Sequence, residues 1–237
     1  VWIVPKANDY IKAIVNPIKK IFKKKLPKLI LEPGRFLVDE SFRLPSLNAI
    51  IIPRPIGWIS TINLDGVSNL APYSFFNAVA YEPPQVMFAS TSEHDFGGYK
   101  DAVMDAKSTG EFVVNIATLD LKDQMNKSSV AAPHDVDEFE YSGLTKEESK
   151  LVKCPRVAES PVNLECRYTT SMQLLSKEDS KFNIVVFGEI IGVHINDEII
   201  HEDRIDFMKL RAIGRLGYSD YVDVNNLFSM ERPTWEK

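Results

Sequence analysis

The stretch Arg54–Asn77, RPIGWISTINLDGVSNLAPYSFFN, decides the reading of the fold. Two apolar runs flank Asp65-Gly66, a pair that turns a chain tightly because glycine takes a positive φ without steric cost. The segment therefore predicts two short antiparallel strands, Ile56–Asn63 and Val67–Leu70, closed by a hairpin turn. It also gathers Arg54, Trp58, Ser60, Thr61, Asn69, Ser74 and Asn77 around two prolines, Pro55 and Pro72. A strand that only fills a core needs fewer hydroxyls and amides. The hairpin reads as one wall of a site for a flat ligand with polar edges.

Outward from the hairpin, Val86–Ser90, Glu111–Thr118, Asn163–Leu175 and Ile184–Ile195 are rich in β-branched and aromatic residues and bounded by Gly, Pro or Asn, the composition of strands. Helices are predicted near Tyr99–Ser108 and Asp120–Lys127, and the charged run Lys177–Asn183 as a turn between two long strands. Many strands, few helices and no βαβ alternation predict a mainly β fold with helical insertions. Its architecture is an antiparallel, Greek-key-like barrel, closed or split along one side. Residues 131–160, with the acidic run DVDEFE, form a long excursion from this pattern, and such loops are commonly functional or interface-forming. Residues 1–40 stand apart as a basic extension of a main domain spanning 41–237.

A chain of 237 residues is long enough for a sizeable core, and 44% apolar with 26% charged residues is ordinary for a soluble globular protein. No run nears the ~18 uninterrupted apolar residues of a membrane span. The N-terminus lacks the apolar core and small-residue cleavage site of a signal peptide, so cytoplasmic residence is the expectation. Residues 1–31 carry eight lysines and one aspartate, a net of +7, which leaves −12 for residues 32–237. A body so acidic repels polyanions and argues against nucleic acid as a partner. Within the basic arm, Asn16-Pro17 reads as a helix start, and the arm is expected to pack on its own domain or a neighbouring subunit. Cys154 and Cys166 have no CxxC or Cys/His spacing, so neither a metal site nor a disulfide is expected.

His94, His134, His194 and His201 form no HxxxH or HExxH pair, and no GxSxG or GxGxxG occurs. His94 and His134 fall in loops and are the better candidates for a site, while His194 falls in a strand. Gly97-Gly98 precedes a predicted helix, whose free N–H groups suit an anion, and Lys100 adds charge there.

Taken in order, RPIGWIST, NLAPYSFFN, EPPQVMFAS, YKDAVMDAKSTGEFVVNI, DEFEYSGL, SPVNLEC and GRLGYSDY resemble the flavin reductase-like proteins of the FMN-binding split-barrel superfamily. The resemblance covers most of the main domain. It implies a split β-barrel, a homodimer and noncovalent FMN near the subunit interface. It further implies that Ser60, Thr61 and the stretch Asn69, Leu70, Ala71, Pro72, Tyr73 and Ser74 face the flavin, with Arg54 and Trp58 in the same wall. Ser90, Thr91, Lys100 and Asp101 would then lie at the phosphate. The family's KDT, followed three residues later by asparagine, is here Lys100-Asp101-Ala102 and then Asp105. One hydroxyl is lost and one carboxylate gained at that end.

The reaction implied is hydride transfer from NAD(P)H to FMN, in which the cofactor carries the chemistry and the protein orients it. Two other readings share the same residues. One is an FMN electron carrier reduced by a redox protein partner, which the acidic body would steer. The other is a flavin-free dimeric binding module that keeps the fold alone.

Overall fold

The structure is a computed structural model and describes residues 44–176 and 182–235. The basic extension with its helix start at Asn16-Pro17, and most of the turn at Lys177–Asn183, lie outside the described residues. The chain divides into two units. One pairs helix α1 (Leu44–Ile50) with Leu216–Asp220, and Gly217 lies so close that an added Cβ would come within 2.6 Å of Ala49. The other, Pro53–Arg215 with Tyr221 onward, holds the sheet.

In chain order its first strands are β1 (Arg54–Pro55), β2 (Gly57–Ile62), β3 (Ser68–Tyr73), β4 (Phe76–Tyr81) and β5 (Pro84–Ser90). Helix α2 (Asp101–Thr109) leads into β6 (Glu111–Ile116), α3 (Lys122–Lys127) follows, and the excursion then carries α4 (Glu138–Ser142) and the small pair β7 (Lys146–Glu147) and β8 (Arg156–Val157). Two twelve-residue strands follow, β9 (Val162–Gln173) and β10 (Ile184–Ile195). The chain ends with β11 (Ile200–His201), β12 (Arg204–Ile205), α5 (Phe207–Leu210), β13 (Ile213–Arg215) and β14 (Tyr221–Asp223).

Seven of these strands form one sheet in the order β3-β2-β6-β9-β10-β5-β4, with antiparallel neighbours throughout. Within it, β6, β9 and β10 follow one another, and the preceding β5 lies beside the last of them. That is a Greek key. The two edges, β3 and β4, are only two residues apart in the chain, at Ser74 and Phe75. A seven-stranded sheet whose opposite edges are joined by two residues must roll until those edges meet there. The Ala89 N–H donates to the Phe75 carbonyl at 2.8 Å on the far side of that corner. The result is a barrel split along one side, as expected.

The β2–β3 turn forms where Asp65-Gly66 predicts it. Gly66 sits at φ +86° and its N–H donates to the Asn63 carbonyl, while the Asn63 side chain accepts from the Asp65 and Val67 amides. Strand β2 is buried on both faces, which explains its unusual composition. One face sends Ile59 into the barrel core with Phe88, Phe112, Val114 and Val186, capped by Ala102, Val103 and Ala106 of α2. The other sends Trp58 into a second core with Leu70, with Met125 of α3, and with Phe139 and Val157 from the excursion. The Trp58 indole N–H donates to the Ser128 hydroxyl at 2.9 Å. The excursion is thus a lid on the outer face of the hairpin, not a free loop.

Candidate functional site

At the β3–β4 corner, register Phe76↔Phe88 carried two places further sets Ser74 opposite Ser90. Ser90 is only 4% exposed, Ser74 is half-buried and Thr91 is exposed, and none of the three hydroxyls is hydrogen-bonded within the chain among the described residues. Grouped at one corner, they offer donors to a ligand. Arg54, 5% exposed, places its guanidinium 6.0 Å from the Phe75 ring centre at the same corner. Burial and then the neighbouring Arg215 hold Arg54 below its ordinary pKa, an environment that favours an anion.

The segment from Ser90 to Lys100 returns through two tight turns, with Gly97 and Gly98 both at positive φ and the His94 N–H donating to the Gly98 carbonyl. This brings Lys100 to the start of α2, where, among the described residues, its ammonium makes a loose contact with Asp95 at 3.8 Å. Asp101, the first residue of the helix, is gripped by two imidazoles, His134 through Nδ1 at 2.5 Å and His94 through Nε2 at 3.4 Å. The two rings stack with centres 4.3 Å apart. The Phe96 N–H donates to His94 Nδ1 at 3.1 Å, which places the remaining ring proton on Nε2, facing Asp101. Burial keeps His94 below its usual pKa; Asp101 works against this, and His134 and Lys100 add to it.

Ligand atoms of His94, Asp101 and His134 lie within 4.8 Å of one another, as in a metal set. The Phe96 amide argues otherwise. A histidine that binds metal through Nε2 carries its proton on Nδ1 and donates it outward, whereas this Nδ1 accepts. In the trio His134 is hydrogen-bonded to Asp101, His94 Nε2 faces Asp101 at 3.4 Å, and the ring of His134 is exposed.

Two more carboxylates lie behind it. Asp105, 6% exposed, accepts from the Thr61 hydroxyl at 2.7 Å, and Asn69 donates to the same Thr61 oxygen at 3.2 Å. Burial pushes Asp105 up to about 6, with the Thr61 hydrogen bond opposing and Asp101 adding. Glu138, 4% exposed, reaches from α4 to accept the Leu70 N–H at 3.1 Å. Burial pushes it up to about 7, again against its backbone hydrogen bonds and with help from Asp101. Tyr73 is raised above the ordinary phenol range by burial and then by the charges of Asp101, Asp105 and Glu138.

The structure thus brings Thr61, Asn69, Leu70, Tyr73, Lys100 and Asp101 into one neighbourhood, and Arg54 to the corner that holds Ser74, Ser90 and Thr91. Ala71 and Pro72 are half-buried in β3 between them. Trp58 and Ser60 are turned the other way. Ser60 is fully buried, donating to the Pro155 carbonyl at 2.7 Å and accepting from Asn115 at 3.0 Å. The sequence marked Asp105 only as a carboxylate gained at the phosphate end, whereas its hydroxyl partner is Thr61 of β2. Glu138 escaped the sequence reading and gave no signal.

A different polar region lies at the far ends of β9 and β10. Glu165, fully buried, accepts the backbone N–H groups of Lys150, Leu151 and Val152 and the His194 Nε2. Burial alone would raise its pKa; His194 and the Lys150 and Leu151 amides together hold it below the usual range. Both cysteines are buried and free, with burial raising each thiol well above its ordinary pKa. No helix among the described residues is long and apolar enough to cross a membrane.

Comparison with known proteins agrees with this architecture. A protein of Aquifex aeolicus is 41% identical over 174 residues, 73% of this chain and 85% of its own length. The crystal structure of nitrilotriacetate monooxygenase component B from Bacillus cereus superposes with TM-score 0.75 at 29% identity, covering 87% of this chain and 100% of that one. Flavoredoxin of Desulfovibrio vulgaris (Miyazaki F) shares the fold, with TM-score 0.66 at 17% identity over 82% of this chain and 97% of its own. The model of the flavin reductase like domain matches residues 49–210, from the end of α1 to the end of α5. The chain belongs to the flavin reductase like domain family.

Proposed function

We propose that the protein is an FMN-dependent oxidoreductase that takes hydride from NAD(P)H and works as a homodimer. The observation that carries this reading is the corner where the Ser74, Ser90 and Thr91 hydroxyls gather near Arg54 with no hydrogen bond among the described residues, in a chain of flavin reductase kind. The donor set fits a phosphate. Those hydroxyls, the loosely held Lys100 and the first N–H groups of the nine-residue helix α2 are what a dianion requires. The two carboxylates that would oppose it are engaged elsewhere. Asp101 is held by two imidazoles and Asp105 is turned to Thr61.

FMN, when bound, supplies the hydride acceptor; the chain orients it and tunes its surroundings. In this reading Ser74, Ser90, Thr91 and Lys100 hold the phosphate, with Arg54 close by. The Asn69–Ser74 backbone lines the flavin, and Thr61 and Asn69 are held in place by Asp105. Trp58 and Ser60 support the wall from behind.

The purified protein should carry or take up FMN and bleach anaerobically with NADH or NADPH. Bleaching with neither nucleotide sinks the reductase reading and favours a carrier reduced by a protein, which the net charge of −12 on residues 32–237 would steer. Lys100→Ala should weaken FMN at least tenfold while riboflavin, which has no phosphate, is unaffected. Equal loss for both ligands removes Lys100 from the phosphate.

A further inference from the structure

Two apolar surfaces in the described residues have nothing to cover them. The first is a groove of about 340 Å³ walled by Pro55, Ile56, Phe76, Ala212 and Ile213, with Phe207 of α5 at its rim, 55% exposed. The second is the carboxyl-terminal arm that follows β14. Leu227, Phe228, Met230 and Trp235 are 51, 84, 83 and 90% exposed on it, and the arm has no secondary structure. Four large exposed apolar side chains between Leu227 and Trp235 are far from ordinary surface scatter.

The arm starts beside the groove without filling it. The Val224 N–H donates to the carbonyl of Ala212, a groove residue, and the chain then bends at Asn225, whose N–H donates to the Asp223 carbonyl. Beyond the bend its side chains remain in solvent. We propose that this arm docks into the apolar groove of a second copy of the chain, and that copy returns the exchange. The inference rests on the homodimer proposed above and gives it a surface.

Area and charge both favour that occupant. Two arms, each with two aromatic side chains of about 150–250 Å² and two further apolar ones, cover on the order of 1,200 Å², the threshold of a specific interface. A reciprocal exchange is self-complementary, as a two-fold pair requires. Glu231 and Arg232 cancel, so an arm through Trp235 brings no net charge to a groove lined by apolar side chains.

The test uses the full chain with single cysteines added at exposed sites, since both native thiols are buried. Phe228→Cys and Phe207→Cys proteins are prepared separately, mixed, allowed to exchange and mildly oxidised. A disulfide-linked pair of chains joining the two variants is expected, with none between Phe228→Cys and Leu64→Cys, which lies 79% exposed at the β2–β3 turn. Phe228→Ser with Trp235→Ser should weaken self-association at least thirty-fold by sedimentation while the circular dichroism stays unchanged. A dimer that neither cross-links nor weakens overturns the arm exchange and leaves the homodimer standing. A Phe207→Cys/Phe228→Cys double variant that closes only within one chain also overturns it, as arm and groove then meet in the same molecule. A protein monomeric at tens of micromolar overturns both.

Discussion

Glu165 and Glu138 are buried carboxylates of the same chain, built in opposite ways. Glu165 has three backbone N–H donors and an imidazole, and these hold it ionised although burial pushes the other way. Glu138 has the Leu70 amide, a surrounding of other carboxylates, and a pKa pushed up to about 7. The first arrangement secures a loop; the second leaves a proton free to come and go near neutral pH. What separates them is the number of donors aimed at the charge, because both are almost completely shielded from water. Asp105, with one hydroxyl donor and a pKa near 6, belongs with Glu138. Carboxylates of the second kind surround the strands expected to face the flavin.

The contrast breaks most directly at Glu165. Glu165→Ala strands three amides and His194 and should cost about 3–5 kcal/mol in denaturant unfolding at neutral pH. A loss below about 1 kcal/mol would mean that these donors find water and that Glu165 is not a keystone.

Glu138→Gln should act with the opposite sign. The folded pKa of Glu138 is raised, so its contribution to stability is complete below the unfolded value near 4.5 and is lost as pH rises through about 7. The glutamine variant lacks this loss. It should become more stable than the parent by about 3 kcal/mol above pH 7, and the difference should shrink toward pH 4.5. Parallel pH–stability curves for the two proteins would sink the assignment. The smallest effect is expected from Thr61→Val, which removes the one side-chain hydrogen bond that, among the described residues, pulls Asp105 down. It should cost about 1–2 kcal/mol and move the Asp105 carboxyl titration, followed by NMR, above its value near 6.

Much of the fold was legible because its signals are local. Asp65-Gly66 gave the hairpin turn, and β-branched runs gave β5, β6, β9 and β10 to within about two residues. The errors are instructive. The strand expected over Val67–Leu70 runs from Ser68 to Tyr73, through Pro72, because an edge strand tolerates proline. The predicted helix Asp120–Lys127 is a single 3₁₀ turn, Leu119–Leu121, followed by α3.

The neighbourhood of Thr61 was legible in part. Residue type singled out Thr61 and Asn69, but Asp105, which accepts from Thr61, lies 44 residues away from it, and Glu138 is 68 from Leu70. Such pairings are set by packing, which no local pattern encodes. The placement of Trp58 and Ser60 was within reach of a stricter reading, since strand alternation sets them on the face opposite Thr61.

The pairing of β3 also limits how this protein can go wrong. Opposite its bonds to β2, the strand turns the backbone nitrogens of Leu70 and Pro72 outward. The first is already taken by the Glu138 carboxylate, and the second carries no hydrogen. A neighbouring molecule that tried to extend the sheet along this side would find neither donor. The hairpin that offers a ligand its polar face is thereby protected on its flank against runaway strand addition and fibre growth. That protection depends on α4 staying docked, so loosening the excursion should expose an aggregation-prone edge before it unfolds the barrel.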